Sequence, residues 1–117
     1  MNVVYGITNC DTVKKARTWL EQQGVDYRFH DFRKEGLDKE LLQTFIKTLG
    51  WEALLNRSGM TWRKLPEKDK ADLNEKKAVS LMLDKPTIIK RPVLVAGKKH
   101  HVGFSESDYQ SLFMKKK

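Results

Sequence analysis

The stretch Gly6-Ile7-Thr8-Asn9-Cys10-Asp11-Thr12-Val13-Lys14-Lys15 connects a short apolar segment to an amphipathic one and carries the only cysteine of this 117-residue chain. Residues 1–5 are mostly apolar, as in a short strand. After the stretch begins, apolar side chains recur at helical spacing, at Val13, Ala16 and Leu20. Because Thr8 and Asn9 are turn and capping residues, a helix is predicted to begin within one or two residues of Cys10.

The position of Cys10 has a chemical consequence. Free amide N–H groups and the positive end of the helix dipole both favour an anion at a helix N-terminus. A thiol there ionises more readily than a free thiol, and Lys14, one turn further on, would add positive charge. Since the thiolate is the nucleophilic form, we predict that Cys10 is a nucleophile. The alternative is a buried cysteine that acts as a small apolar side chain.

Composition narrows the class of protein. A chain with 39% hydrophobic and 32% charged residues is typical of a soluble globular protein. It has no apolar run near the roughly 20 residues that a membrane span needs. A single cysteine excludes an intramolecular disulfide and a cysteine-rich zinc site. With no secretory signal visible, we expect a cytoplasmic location.

The formal net charge of +8 makes nucleic acid a candidate partner. The basic residues, however, are spread along the chain in pairs, and the only run is a short basic tail at 115–117. No recognition helix or RNA-binding aromatic motif is visible. Specific binding of nucleic acid is therefore not expected. No metal site is expected either, because His100 and His101 have no partners at ligand spacing.

The first two thirds of the chain alternate between strand and helix patterns. Gly24 is a natural end for the first helix, and residues 25–32 are predicted to form a second strand. This is a βαβ unit, whose crossover makes the two strands parallel and right-handed. Residues 33–36 follow as a polar link. Helical segments are then predicted from the cap at Asp38 to Gly50, at 51–55, from Pro66, and over 74–83.

The last third is predicted to contain two strands and a helix. Residues 86–90 have an extended pattern and lead into Arg91-Pro92. Residues 93–96 and 99–102 are predicted to form a hairpin around a glycine-containing turn. A final helix opens at its cap Ser105.

The order βαβ, helices, ββα, with a nucleophilic cysteine at the first strand–helix turn, predicts an α/β protein with a thioredoxin-like fold. We expect one domain over residues 1–117, with a helical insertion over about 38–84. In thioredoxin-like folds the proline at the position of Pro92 is commonly cis and faces the cysteine loop. Arg91 would then lie near Cys10 and could bind an oxyanion or a carboxylate through two hydrogen bonds. The alternative is a surface arginine before a turn proline.

Four segments, spread over most of the chain, carry a resemblance to a known family. They are residues 5–16 around Cys10, Ala53-Leu54-Leu55-Asn56-Arg57-Ser58-Gly59, Trp62-Arg63-Lys64-Leu65, and Pro86-Thr87-Ile88-Ile89-Lys90-Arg91-Pro92-Val93. The chain resembles the ArsC/Spx family of arsenate reductase-like proteins, and most closely its small bacterial YffB-like branch.

The resemblance implies roles for individual residues. In the glutathione- and glutaredoxin-coupled arsenate reductases of this family, one cysteine attacks the oxyanion and arginines hold it. Cys10 matches the nucleophile and Arg91 the arginine before proline. Arg57, or Asn56 if the register shifts by one residue, matches another arginine. The family's third arginine is missing near residues 103–105, so arsenate is disfavoured as the natural substrate.

The negative charge of Asp11 beside the thiolate also disfavours arsenate. We therefore predict a thiol-dependent reductase that forms a mixed disulfide or an oxyanion adduct, with no bound cofactor and with glutathione as co-substrate. Its partners would be glutathione and a small anionic or disulfide substrate, with glutaredoxin as a further candidate. The anion-binding residues would be Thr8, Asn9, Lys14, Arg57 and Arg91.

The Spx branch implies a second, non-enzymatic function. Spx proteins are transcriptional regulators that bind RNA polymerase and are switched by a Cys-x-x-Cys pair. Here Val13 takes the place of the second cysteine, so an internal disulfide switch is excluded. Binding of RNA polymerase or another protein without catalysis stays open as the alternative.

Overall fold

A computed structural model describes residues 2–113, so the basic tail at 115–117 lies outside the described residues. Contacts divide the chain into two compact units. The first unit contains Met1–Gly36 and Arg91–Lys117, and the second contains Leu37–Lys90. The second unit includes the helical insertion expected at about 38–84. That the chain behaves as one domain stays a prediction.

The elements follow one another in the predicted βαβ, helices, ββα order. The chain begins with β1 (Asn2–Gly6), α1 (Asp11–Gln22), β2 (Arg28–Asp31) and α2 (Phe32–Glu35). The second unit contains α3 (Lys39–Leu49), α4 (Trp51–Leu54), α5 (Met60–Arg63), α6 (Glu67–Lys70), α7 (Glu75–Asp84) and a 3-10 helix (Pro86–Ile88). The chain then forms β3 (Val93–Ala96), β4 (Lys99–Val102) and α8 (Glu106–Phe113).

The four strands form one mixed sheet in the order β2-β1-β3-β4. Strand β1 pairs parallel with β2 and antiparallel with β3, and β3 pairs antiparallel with β4. This arrangement confirms the predicted thioredoxin-like fold. Among the helices of residues 2–113, none is long and apolar enough to cross a membrane.

The core of the first unit joins helices α1 and α8 to one face of the sheet. Val4 of β1 and Leu94 of β3 are register partners, and neither is exposed. Trp19 of α1 meets Tyr109 of α8 edge to face, with 5.7 Å between ring centroids. Tyr109 is itself fully buried, and burial raises the pKa of its hydroxyl. This packing fixes the helix that begins after Cys10 against the sheet.

Helix α1 ends at Gly24, as predicted. Gly24 has a φ of +70°, and its amide donates to the Glu21 carbonyl at 3.2 Å. The Val25 amide donates to the Leu20 carbonyl at 2.9 Å, which completes a Schellman motif. Because Val25 belongs to this cap, the predicted strand over 25–32 is wrong at its start.

The predicted end of the same strand, at Phe32, is also wrong. The Asp31 side chain accepts a hydrogen bond from the Arg33 amide at 2.8 Å and so acts as the N-cap of α2. Phe32 and the first part of the predicted polar link at 33–36 are therefore helical. Asp31 is 5% exposed, and this cap satisfies its buried carboxylate.

In the second unit the predicted cap at Asp38 and the predicted helix start at Asn74 are confirmed. Asp38 accepts from the Leu41 amide at 2.8 Å, and Asn74 accepts from the Lys77 amide at 2.9 Å. The predicted extended segment 86–90 is wrong over 86–88, where Pro86 begins the 3-10 helix, but right at Ile89, which forms an antiparallel bridge with Leu55. Proline is favoured at a first helical position, and this preference overrides the β-branched residues that follow. Helix α5 was not predicted.

The approach of α1 to β1 is closest at Gly6. A Cβ atom built on Gly6 would lie 2.9 Å from Cγ2 of Val13, a fully buried side chain in the first turn of α1. We expect Gly6→Ala to lower the free energy of unfolding by about 1–3 kcal/mol, since the Val13 side chain has little room to move. Denaturant unfolding of the variant measures this loss.

A double-mutant cycle with Val13→Ala tests the cause of that loss. If the contact is responsible, Gly6→Ala should cost less in the Val13→Ala background than in the parent. Equal costs in both backgrounds would contradict a steric origin.

Candidate functional site

Cys10 is the N-cap residue of α1 and follows the interior strand β1 after a three-residue loop. Its backbone is extended, with φ −152° and ψ 121°, and its carbonyl accepts a hydrogen bond from the Lys14 amide at 3.0 Å. The thiol makes no capping hydrogen bond, and the residue is only partly buried. The amides of the first helical turn therefore lie beside an accessible sulfur, and a negative charge there is favoured.

The loop around Cys10 contains the other residues predicted to bind an anion. Thr8 and Asn9 form the bend between β1 and α1, and both are exposed. Lys14 is exposed one turn into the helix. Asp11 is an acidic residue in the first turn of α1, so the site includes a negative charge as well as the helix terminus.

The sheet brings Arg91 and Pro92 to the same edge as the cysteine loop. Tyr5, near the end of β1, pairs with Val93, the first residue of β3. The residues before Val93 thus lie at the edge where β1 leads into the Cys10 loop. The Arg91–Pro92 peptide bond is cis, as the resemblance implied. Pro92 is buried, and its carbonyl accepts from the Gly103 amide at 2.9 Å.

Arg91 is half-buried, and its Nε atom is inaccessible to solvent. An arginine held in this way loses little conformational freedom when it binds a carboxylate or oxyanion. Cys10, Thr8, Asn9, Lys14, Arg91 and Pro92 all belong to the first unit.

Arg57 belongs to the second unit, in the turn between α4 and α5. Asn56 beside it accepts hydrogen bonds from the amide and the hydroxyl of Ser58, at 3.2 and 2.9 Å. The Asn56 side-chain oxygen is thus used within the turn, whereas Arg57 is exposed. The choice between Arg57 and Asn56 as the anion-binding residue stays a prediction. The convergence of Arg57 on Cys10 stays a prediction.

Arg57 is supported by an aromatic ring, a contact that the sequence did not indicate. The Arg57 guanidinium carbon lies 5.6 Å from the centroid of the Trp62 ring, and Lys70 Nζ lies 5.5 Å from the same centroid. Both distances are within the range of cation–π attraction. No local rule connects Arg57 and Trp62, because the turn between them decides which side chains meet.

In residues 2–113 no group of three or more His, Cys, Asp or Glu side chains is placed to hold a metal ion. His101 instead lies beside a carboxylate of α8, with 3.4 Å between its Nε2 and Oδ2 of Asp108.

The chain belongs to the ArsC family, which it matches over residues 5–112. It is similar to a solved structure described as the YFFB (PA3664) protein, with 50% identity, a TM-score of 0.91, and coverage of 95% of this chain and 97% of that one. It is 42% identical over 113 residues to an uncharacterised protein of Haemophilus influenzae, covering 97% of this chain and 99% of the relative. A more distant relative is a protein of Lactiplantibacillus plantarum named global transcriptional regulator Spx. It is 22% identical over 118 residues, covering 99% of this chain and 89% of that protein.

Proposed function

We propose that this protein is a glutathione-dependent thiol reductase with Cys10 as its nucleophile. The observation that carries the proposal is the position of Cys10, a partly exposed N-cap residue whose thiol is not used to cap the helix. A cysteine that served only as a small apolar packing residue would not need to lie at a partly exposed helix N-terminus. Membership of the ArsC family supports reductase chemistry in general terms.

The proposed reaction is disulfide exchange in two steps. The Cys10 thiolate attacks the glutathione sulfur of a mixed disulfide between glutathione and a substrate thiol, and the substrate leaves as a thiolate. Cys10 is then disulfide-bonded to glutathione. The chain has no second cysteine to resolve this bond, so a second glutathione thiolate attacks it. Cys10 is restored and glutathione disulfide is released. Each turnover regenerates one substrate thiol and consumes one free glutathione, which ends in the disulfide with the glutathione that had modified the substrate.

The anion contacts follow from the chemistry of glutathione, which carries two carboxylates. We assign them to Arg91, to Lys14 and to the polar loop residues Thr8 and Asn9, and we propose Arg57 as a further anion-binding residue. Glutathione is a co-substrate in this scheme, and no bound cofactor is required. The carboxylate of Asp11 and the absence of an arginine in residues 103–105 make arsenate a poor substrate.

The proposal is tested with a glutathionylated peptide and reduced glutathione. Formation of glutathione disulfide is followed by coupling it to glutathione reductase and NADPH. We expect turnover that saturates with peptide, and a Cys10–glutathione adduct by mass spectrometry when free glutathione is omitted. Glutathione disulfide formation at the uncatalysed rate would overturn the proposal.

Replacing Arg57 with lysine should raise the KM for glutathione by about ten-fold and change kcat by less than about two-fold. Lysine keeps the positive charge but loses the two parallel hydrogen bonds that a guanidinium can donate to a carboxylate, and it changes the cation–π contact with Trp62. Steady-state kinetics with varied glutathione measure both constants. Arg63→Lys, an exposed arginine of α5, is the matched control and should leave KM unchanged. A KM that is equal in the two variants would contradict a role for Arg57.

A regulatory protein without catalysis is the second candidate. It is favoured by the similarity to the Spx protein, which extends over 89% of the length of that protein. The cysteine distinguishes the two candidates. A stoichiometric partner recovered equally well by the parent protein and by Cys10→Ala would favour the regulatory function.

A further inference from the structure

A cleft of about 460 Å³ runs along α1, starting one helical turn after Cys10. Lys14, Thr18 and Gln22, at intervals of four residues, form one side, and Lys15 adds a second cation. Trp19 and Phe104 contribute aromatic surface. We call this the α1 cleft.

The cations of the α1 cleft differ from other cations of the first unit. Arg17, on the same helix, lies over the Phe29 ring at 4.1 Å and donates to the Tyr27 hydroxyl at 3.0 Å. By contrast, within the part of the chain that the structure describes, Lys14 and Lys15 have no carboxylate within 4 Å. Two unpaired cations thus border a concave surface beside the proposed nucleophile.

The one acidic residue of the α1 cleft has a separate explanation. Glu106 is in the first turn of α8, where a carboxylate stabilises the positive end of the helix dipole. Its charge is partly compensated by that terminus. The carboxylate of Asp11, in the first turn of α1, lies within 4 Å of neither lysine ammonium group in the part of the chain that the structure describes. The cleft therefore favours a ligand with negative charge.

The dimensions of the cleft indicate what kind of ligand fits. Lys14 and Gln22 are eight residues apart, about 12 Å along the helix axis. An extended peptide advances about 3.3 Å per residue, so about four residues span this length. Aromatic surface with polar groups at the rim suits a peptide backbone and its side chains.

We propose that the α1 cleft binds an extended, acidic segment of a substrate protein, next to the disulfide that Cys10 attacks. The proposal rests on the proposed function and adds the substrate class, namely glutathionylated proteins with carboxylates close to the modified cysteine. Lys15 binds these carboxylates, whereas Lys14, one helical turn after Cys10, is assigned to glutathione. Thr18 and Gln22 provide hydrogen bonds to the peptide further along.

The test compares two glutathionylated peptides of equal length that differ only in having Asp or Asn on both sides of the cysteine. We expect kcat/KM to be about five-fold higher or more for the Asp peptide. Lys15→Glu should remove this preference. Lys98→Glu changes the net charge by the same amount in the turn between β3 and β4, at the other end of β3 from Pro92, and should keep the preference within two-fold.

The outcomes separate this inference from the proposed function. Equal turnover of both peptides would overturn the inference and leave the reductase intact. The inference would also fall if Lys98→Glu removed the preference as fully as Lys15→Glu, because general attraction to a basic protein would then explain it. If neither peptide is turned over, the reductase proposal fails.

A binding measurement then tests peptide binding in the cleft independently of catalysis. The Cys10→Ser variant is titrated with the unmodified Asp and Asn peptides and followed by amide NMR shifts. Shifts at Lys15, Thr18 and Gln22 with the Asp peptide alone would support the cleft. Shifts elsewhere, or none, would contradict it, and shifts caused by glutathione alone would identify the cleft as part of a glutathione site instead.

Discussion

Cys10→Ser is expected to lower kcat/KM for glutathione-dependent disulfide reduction by at least about 10³-fold. A serine hydroxyl is not ionised at neutral pH and forms no disulfide, so both steps of the proposed reaction are lost. The coupled assay with a glutathionylated peptide measures this loss directly. No second cysteine in the chain is available to substitute for Cys10.

The same substitution should leave the fold intact. Cys10 is partly exposed and its thiol makes no capping hydrogen bond, so serine removes little packing and adds a better helix cap. We expect the midpoint of thermal unfolding to change by no more than a few degrees. Activity within ten-fold of the parent would show that Cys10 is not the nucleophile.

Alkylation provides an independent check of the parent protein. Iodoacetamide should modify Cys10, and an adduct with glutathione should protect it. A thiol that reacts at the same rate before and after incubation with glutathione disulfide would contradict formation of the mixed disulfide.

Much of the fold could be predicted because its signals are local. Asp38 and Asn74 cap the helices that their positions predicted. Ser105 does the same for α8, where its hydroxyl accepts from the Asp108 amide at 3.2 Å. The glycine at 24 ends α1 through a positive φ that other residues rarely adopt. Patterns of this kind are complete within about five residues.

The errors arise where two local signals compete. Residues 25–32 have the alternation of a strand. The strand is shorter than predicted because Val25 belongs to the C-terminal cap of α1 and Asp31 is the N-cap of α2. In the segment that begins with Pro86, β-branched residues favour extended structure and proline favours a helical start. Which of the two competing local preferences prevails depends on hydrogen bonds that form only in the folded chain.

The site was predicted less completely than the fold because it depends on contacts between distant residues. Cys10 could be named as a candidate from its place between a strand and a helix, and its role stays a prediction. The α1 cleft could not be predicted, because Phe104, which lines it together with residues of α1, is far from them in the sequence. The cation–π contact between Arg57 and Trp62 likewise follows from the geometry of a turn that has no periodic pattern.

The largest effect on stability is expected at Tyr109. Tyr109→Ala should lower the free energy of unfolding by about 3–5 kcal/mol, since a large, fully buried ring is removed and a cavity remains. The ring also loses edge-to-face contacts with Trp19 and with Phe104, whose centroid is 4.7 Å away. Against a typical domain stability of about 5–15 kcal/mol, this is a large fraction. Denaturant unfolding followed by circular dichroism measures it.

Tyr109→Phe is the matched variant and should have the opposite sign or no effect. The Tyr109 hydroxyl is buried and has no hydrogen-bond partner among residues 2–113, so removing it relieves a desolvation cost of about 1–3 kcal/mol while the ring contacts remain. A protein that keeps or gains stability as Tyr109→Phe, and loses it as Tyr109→Ala, would establish that the ring and not the hydroxyl holds α8 on the sheet. A loss of more than about 1 kcal/mol in Tyr109→Phe would instead reveal a hydrogen bond, to ordered water or to the chain ends, that stabilises this core.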